Sequence, residues 1–365
     1  MADQAARREE ERLRHYDTKN SPFLELQTPF TTWEAVKVVL LAWTIPLRLF
    51  VGILGLLVLA AMSYVAALGW PIDQPFPKWR RELVKASRHC AGVVLFCMGF
   101  QIHVKGWHNV KKAEEVGALG VFNHISWADP ITMMWLFAPS GVSKADNATI
   151  PLIGTCIRSY QNIWVPRGKL GKGGEKQAAT SLNGNSSMSI SELIVSRAHD
   201  RRFPMVVIAP EGTCGDGRCL LQFRTGAFVA GVPVLPVLFQ YDTSRHNPAW
   251  TIINEGWHWF RLMCQFYNRM EVTILPPYIP SEPEKADPVL YANNVRSLFA
   301  KTLKLPLSDQ SHKDFMALTA NKVGVSLDGR RVVAPPGILD KDGFADLTKG
   351  FDSSNGKKKV HKKHS

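Results

Sequence analysis

Cysteine is scarce in this chain, and acid is outnumbered by base. The six cysteines, at positions 90, 97, 156, 214, 219 and 264, form no dense framework. A small disulfide-stapled scaffold is excluded, and free thiols in a reducing compartment are expected. Cys214 and Cys219 stand C-x4-C with no second pair nearby, so the spacing gives little support to a zinc site and no metal is expected. A G-x-S-x-G elbow is missing, since "GNSSM" does not fit it, which removes the support for a serine hydrolase. The start is charged and is followed by no early apolar core with a small-residue cleavage site, so no secretory signal is read there. No internal repeat is present. Aspartate and glutamate number 31 against 44 lysines and arginines, a formal charge of +13 that favours anionic partners. Aromatic–basic motifs and zinc-finger spacing are absent, so nucleic acid is not an expected partner.

What is present divides the 365 residues into four stretches. Residues 1–37 are a polar N-terminal segment, exposed to cytosol or lumen. Residues 38–70, "VVLLAWTIPLRLFVGILGLLVLAAMSYVAALGW", carry the single charge Arg48 and are long enough to cross a bilayer, as one helix or as a hairpin broken near Pro46. Basic residues are about equally frequent on both sides, so charge gives no orientation. The shorter run 91–100 is expected on the membrane or in the core. Residues 71–320 form the main domain, and 321–365 a flexible tail with a basic end.

From about residue 117, β-rich runs alternate with helical patterns. The strands are "ALGVFN", "GVSKA", "NIWVP", "PMVVIAP", "VPVLPVLFQ" and "MEVTIL"; the helices cover 130–138, about 187–199, about 222–230 and 286–303. The expected fold class is α/β, with a mostly parallel central sheet flanked by helices behind an N-terminal hydrophobic membrane segment. The run 168–188, rich in Gly, Ser and Lys, reads as a surface loop.

Chemistry concentrates at strand ends. In "NHISWADP", Asp129 before Pro130 suits a helix N-cap. With His124 on the loop ahead of it, the carboxylate can also accept the Nδ1–H of the imidazole and leave Nε2 free to take a proton. "VVIAPEGTCGDGR" runs a strand into Glu211, Gly212 and Thr213, where glycine admits close approach of a ligand to the backbone. Arg224 in "FRTGAF", Arg167 in "NIWVPRGK" and Lys144 in "VSKADNATIP" are candidate anion sites, each of which also reads as an ordinary surface cation.

These blocks resemble the glycerolipid acyltransferase superfamily, whose HxxxxD, basic, EGT and proline-containing motifs match "NHISWAD", "IWVPR", "PEGTC" and "VPVLP" in order. The lysophosphatidylcholine acyltransferase branch is the nearer match, over roughly residues 75–315. The resemblance implies a glycerol-phosphate-acyltransferase-like αβα fold and transfer of an acyl group from acyl-CoA to a lysophospholipid at the bilayer. It further implies His124 as general base, Asp129 as its orienting partner, and Arg167, Glu211, Gly212 and Thr213 on the acceptor. Arg224 and Lys144 are electrostatic additions. No cofactor is expected, acyl-CoA being a co-substrate. The acceptor is lysophosphatidylcholine first, with lysophosphatidylethanolamine and lysophosphatidate as alternatives; a non-catalytic membrane-anchored scaffold is the alternative of another class. "DKDGFADLT" does not fit EF-hand spacing, so calcium control is not expected. The end "KKHS" matches a dilysine retrieval pattern, which places the protein in the endoplasmic reticulum with its catalytic domain facing the cytosol; sequons at Asn147 and Asn185 would point the other way if glycosylated.

Overall fold

A computed structural model describes residues 2–71, 73–165, 184 and 188–349. Arg167, Asn185, most of the 168–188 run and the KKHS end lie outside the described residues.

The central sheet has seven strands: β1 (Phe100–Lys105), β2 (Leu119–Phe122), β3 (Ser140–Lys144), β4 (Ile163–Val165), β5 (Val206–Ile208), β6 (Val234–Tyr241) and β7 (Asn268–Ile274). Their lateral order is β1-β7-β6-β2-β5-β3-β4. The five from β6 to β4 run parallel, β7 pairs antiparallel with β6, and β1 runs parallel to β7. The sheet is therefore mixed but mostly parallel. Burial on both faces explains the near-continuous apolar strands. Along β6, Val234 and Leu238 face one layer with Val295 and Phe299. Leu235, Val237 and Phe239 face the other, with Phe122 and Met133. This two-residue alternation puts one apolar core on each side of the sheet.

The helices that matter for the site are α1 (Thr32–Leu41), α2 (Ile45–Ala67), α3 (Lys78–Cys97), α4 (Asn109–Val116), α5 (Ala128–Phe137), α6 (Ile153–Ser159), α7 (Ile190–His199), α8 (Glu255–Met263) and α9 (Pro288–Leu303). The helix expected at about 222–230 reduces to a single 3-10 turn, Thr225–Ala227. Gly226 and Gly231 lower the helical propensity of that stretch, and burial of Ala227 and Phe228 fixes it instead.

Among the described residues one helix, Thr32–Ala67, is long and apolar enough to cross a membrane. It contains a 3-10 turn, Ala42–Thr44, just ahead of Pro46, but no reversal, so the 38–70 run is not a hairpin. The chain turns back only at 68–77, and α3 returns along α2: Gly52 lies against Cys97 and Gly55 against Val93. The 91–100 run is thereby the apolar end of α3 and the start of β1.

Both terminal stretches depart from expectation. Residues 321–349, expected as flexible, carry Val323, Ala345 and Leu347 into a cluster with Tyr16, Phe23, Leu24, Leu221 and Leu318. Phe344–Ala345 pair antiparallel with Tyr16–Asp17. Isolated apolar residues between turns have no period to read, and their partners lie some 300 positions away. The polar first segment is likewise packed, with Glu34 and Lys37 of α1 buried against Arg261 and Gln265.

Candidate active site

β2 delivers the chain to the sheet's carboxyl edge, where open α/β sheets hold ligands. The first residue past it, Asn123, clamps the loop to the neighbouring strand: its Nδ2 donates to Phe239 O at 2.9 Å and its Oδ1 accepts from Phe239 N at 2.8 Å. His124 follows, with Nδ1 3.0 Å from Asp129 Oδ2. An ionised carboxylate can only accept, so Nδ1 carries a proton, and Nε2 has a lone pair only in the neutral ring; the Cys214 side chain also hydrogen-bonds the imidazole. The imidazole is 21% exposed while the carboxylate is fully buried.

Asp129 is not the N-cap. Trp127 holds that position without a side-chain cap bond, and Asp129 is the second residue of α5. Its Oδ2 reaches back to the amides of Ile125 at 2.6 Å and Ser126 at 2.7 Å. The carboxylate thus satisfies the loop that carries His124 rather than the helix's own first turn. Oδ1 accepts from the Tyr241 hydroxyl at the end of β6. Burial opposes a charge on the His124 ring, but the neighbouring Cys214 and the Asp129 carboxylate outweigh it, so the imidazole holds its proton well above the usual histidine range.

Glu211, just past β5, is 3% exposed. Its Oε1 accepts from His124 N at 2.8 Å and its Oε2 from Leu221 N at 3.0 Å. Both oxygens are engaged by the protein's own backbone. Glu211 thus ties the His124 loop to residue 221. Burial pushes this carboxyl up to about 7, against the pull of its two backbone donors. Gly212 needs its lack of a side chain: its φ is +70°, and a Cβ there would lie 3.0 Å from the Arg224 guanidinium. Gly215 N donates to His124 O at 3.0 Å, which closes the turn that keeps Cys214 beside the imidazole.

Arg224 thus lies over the Glu-Gly-Thr turn, with no carboxylate at ion-pair distance among the described residues, and partial burial lowers its pKa. Lys144 ends β3 at the same edge of the sheet and is exposed. β5 stands between β3 and β2, so Lys144 is about 10 Å from the dyad by strand spacing.

The sequence reading missed Tyr241, Cys214 and Asn123. Tyr241 had a signal: it closes the "VLFQY" run with the parity of Phe239, on the face that Phe122 shares.

Residues 101–240, which hold β2 to β5, most of β6 and the dyad, match a family model described as Acyltransferase. The chain is 34% identical over 308 residues to lysophosphatidylcholine acyltransferase 2B of Rattus norvegicus, covering 80% of this chain and 55% of that protein. The 101–240 stretch belongs to the acyltransferase family. The chain is also 31% identical over 303 residues to lysophosphatidylcholine acyltransferase 2 of Homo sapiens, covering 80% and 52%. To the lysophosphatidylcholine acyltransferase of Drosophila melanogaster it is 33% identical over 327 residues, covering 86% and 58%. The chain spans about half the length of the curated relatives it matches. The crystal structure of the 1-acyl-sn-glycerophosphate (LPA) acyltransferase PlsC from Thermotoga maritima aligns at a TM-score of 0.48 and 16% identity, covering 76% of this chain and 100% of that one.

Proposed function

We propose that this acyltransferase moves an acyl group from acyl-CoA to the free glycerol hydroxyl of a lysophospholipid, with lysophosphatidylcholine as the first acceptor. The observation that carries the reading is the partly exposed His124, its Nδ1 held by buried Asp129 at the carboxyl edge of the sheet. Nε2 takes the proton as the hydroxyl oxygen attacks the thioester carbonyl. The new C–O bond forms, the C–S bond breaks, and the departing CoA sulfur recovers the proton from the imidazolium. Asp129 stabilises that cation. No acyl-enzyme is required.

Arg224, poised over Gly212 with no carboxylate at ion-pair distance among the described residues, supplies an attraction for a substrate phosphate. The charge of +13 suits the phosphates of CoA and an anionic leaflet. The relatives' names support lysophosphatidylcholine over lysophosphatidylethanolamine and lysophosphatidate. The apolar helix supports a bilayer site, which we assign to the endoplasmic reticulum with the domain facing the cytosol, where acyl-CoA is available. Asn147 is partly buried and donates to Ser143 Oγ at 3.0 Å, which does not favour a glycan there.

The test is an acyl-transfer assay on membranes carrying the wild-type chain or His124→Ala, with labelled acyl-CoA and a panel of the three lysophospholipids. Transfer to lysophosphatidylcholine that falls about 10²–10⁴-fold in the variant is expected. Equal activity in both removes His124 from the mechanism. Absence of transfer to every acceptor brings forward the scaffold reading.

A further inference from the structure

The buried carboxylate of Asp129 is held on both oxygens. Oδ2 accepts from Ile125 N, Ser126 N and His124 Nδ1. Oδ1 has one donor among the described residues, the hydroxyl of Tyr241. The placement follows from strand register. β2 and β6 run parallel with Phe122 opposite Val237, so residue 241 is level with the loop at residue 126. Tyr241 is 8% exposed, and its ring meets Phe100 edge-on at 6.2 Å.

We propose, building on the acyl-transfer reading above, that Tyr241 is a positioning residue for the catalytic base: its hydroxyl fixes the rotation of the Asp129 carboxylate, and with it the direction of the His124 Nε2 lone pair. Donors confined to Oδ2 would leave the carboxylate plane free to twist. The bond from β6 prevents this, and it ties the end of one strand to the loop that leaves the next. It also draws charge from the carboxylate away from the imidazole. The groups that face His124 are Asp129 from α5, Tyr241 through that carboxylate, and Cys214 and Glu211 from the turn after β5, the last through the His124 backbone amide. Burial and the adjacent carboxylate hold the Tyr241 phenol well above its usual range, so it remains a donor at every pH at which the enzyme is assayed.

The test is the pH profile of kcat/KM for wild type and Tyr241→Phe, which keeps the ring and removes only the hydroxyl. Without the Oδ1 donor, Asp129 holds the imidazolium proton more tightly. The ascending limb then moves to higher pH by about half a unit to one unit, and kcat/KM below the limb falls roughly 3–10-fold. The KM for acyl-CoA stays the same. In an Asp129→Asn background, Tyr241→Phe should have little further effect, because its action passes through Asp129. Should Tyr241→Phe not accumulate, 3-fluorotyrosine at position 241 gives the opposite sign: a stronger donor moves the limb to lower pH. A loss of equal size at every pH with the limb unmoved, or an unmoved limb with the fluorinated residue, overturns the proposal. Wild-type activity that does not depend on His124 overturns the underlying reading instead, so the two failures are distinguishable.

Discussion

At the scale of single residues, the site is a competition for protons. A base with a raised pKa is charged through the lower part of the working range, whereas general-base catalysis needs it neutral. The kcat/KM of the wild-type chain should therefore climb with pH along a limb centred above 6.5, measured on the free enzyme with limiting substrate. The linkage has the opposite sign for folding. A histidine whose folded pKa is raised contributes stability below its unfolded pKa, and that contribution is lost as pH rises through the folded pKa. Activity and this part of stability should cross over in the same window, and a profile flat from pH 6 to 9 would contradict the geometry. Glu211 makes a separate case. Glutamine fits its place but offers one acceptor atom, and its NH2 would face a backbone N–H that now has a carboxylate oxygen. Glu211→Gln should cost about 1–3 kcal/mol in denaturant unfolding. It should also lower kcat without raising the KM for the acceptor, because the side chain braces the His124 loop. A variant that changes only the acceptor KM would return Glu211 to the substrate.

Among secondary-structure elements, α2 illustrates the limit of composition. Its 23 residues give a length of about 34 Å, enough for a hydrocarbon core of about 30 Å. Length alone therefore reads as a crossing. Packing argues otherwise. Near its start, Arg48 Nη1 donates to Met263 O at 3.0 Å; in the middle, Leu59 and Ala60 meet Cys156 of α6; just past its end, Gln161 Nε2 donates to Gln74 O at 2.7 Å. The helix touches the sheet domain at intervals along its whole course. Beside it, α3 exposes Lys78, Arg81, Lys85 and His89, groups that a crossing would carry into hydrocarbon at about 2.5–3.5 kcal/mol for each charge near the centre. The outer face, with Leu47, Phe50, Leu54, Leu57 and Val65 exposed, suits a helix lying in one leaflet. A cysteine at the turn, Asp73→Cys, should then react with an impermeant maleimide from the side on which the catalytic domain lies, above the wild-type background. Labelling from the opposite side alone would restore the crossing. The sequence made the apolar run, the strand–helix alternation and the His124–Asp129 pair legible, because each is a local pattern. It could not show that Tyr241 meets Asp129, that Glu211 meets His124 N, or that α3 returns along α2. Those depend on which strands are neighbours and on what α3 packs against, and neither leaves a periodic trace.

For the molecule as a whole, the two ends close on the site. Pro22 O accepts from Asp216 N at 2.8 Å and Phe23 O from Ile252 N at 3.0 Å, so the N-terminal strap holds the loop that follows the Glu-Gly-Thr turn. The strap is held in turn by the C-terminal segment, through the Tyr16–Ala345 pairing and through Leu347, whose amide donates to Leu13 O at 2.9 Å. Leu221 lies in this same cluster, and its amide is the second donor to Glu211. A chain cut at residue 320 would remove Val323, Ala345 and Leu347 and uncover Leu221, Phe23 and Leu24. Losing three such buried side chains costs several kcal/mol, at about 1.5–3 kcal/mol for each larger one. That is a large part of the usual 5–15 kcal/mol of a folded chain. The 1–320 chain should accordingly lose acyl transfer together with thermal stability, although it retains every motif block from His124 to Pro236. A chain ending at residue 349 keeps all the contacts named here and should retain both. If the 1–320 chain were as active and as stable as the full one, the terminal braid would be an attachment to the domain rather than part of its core.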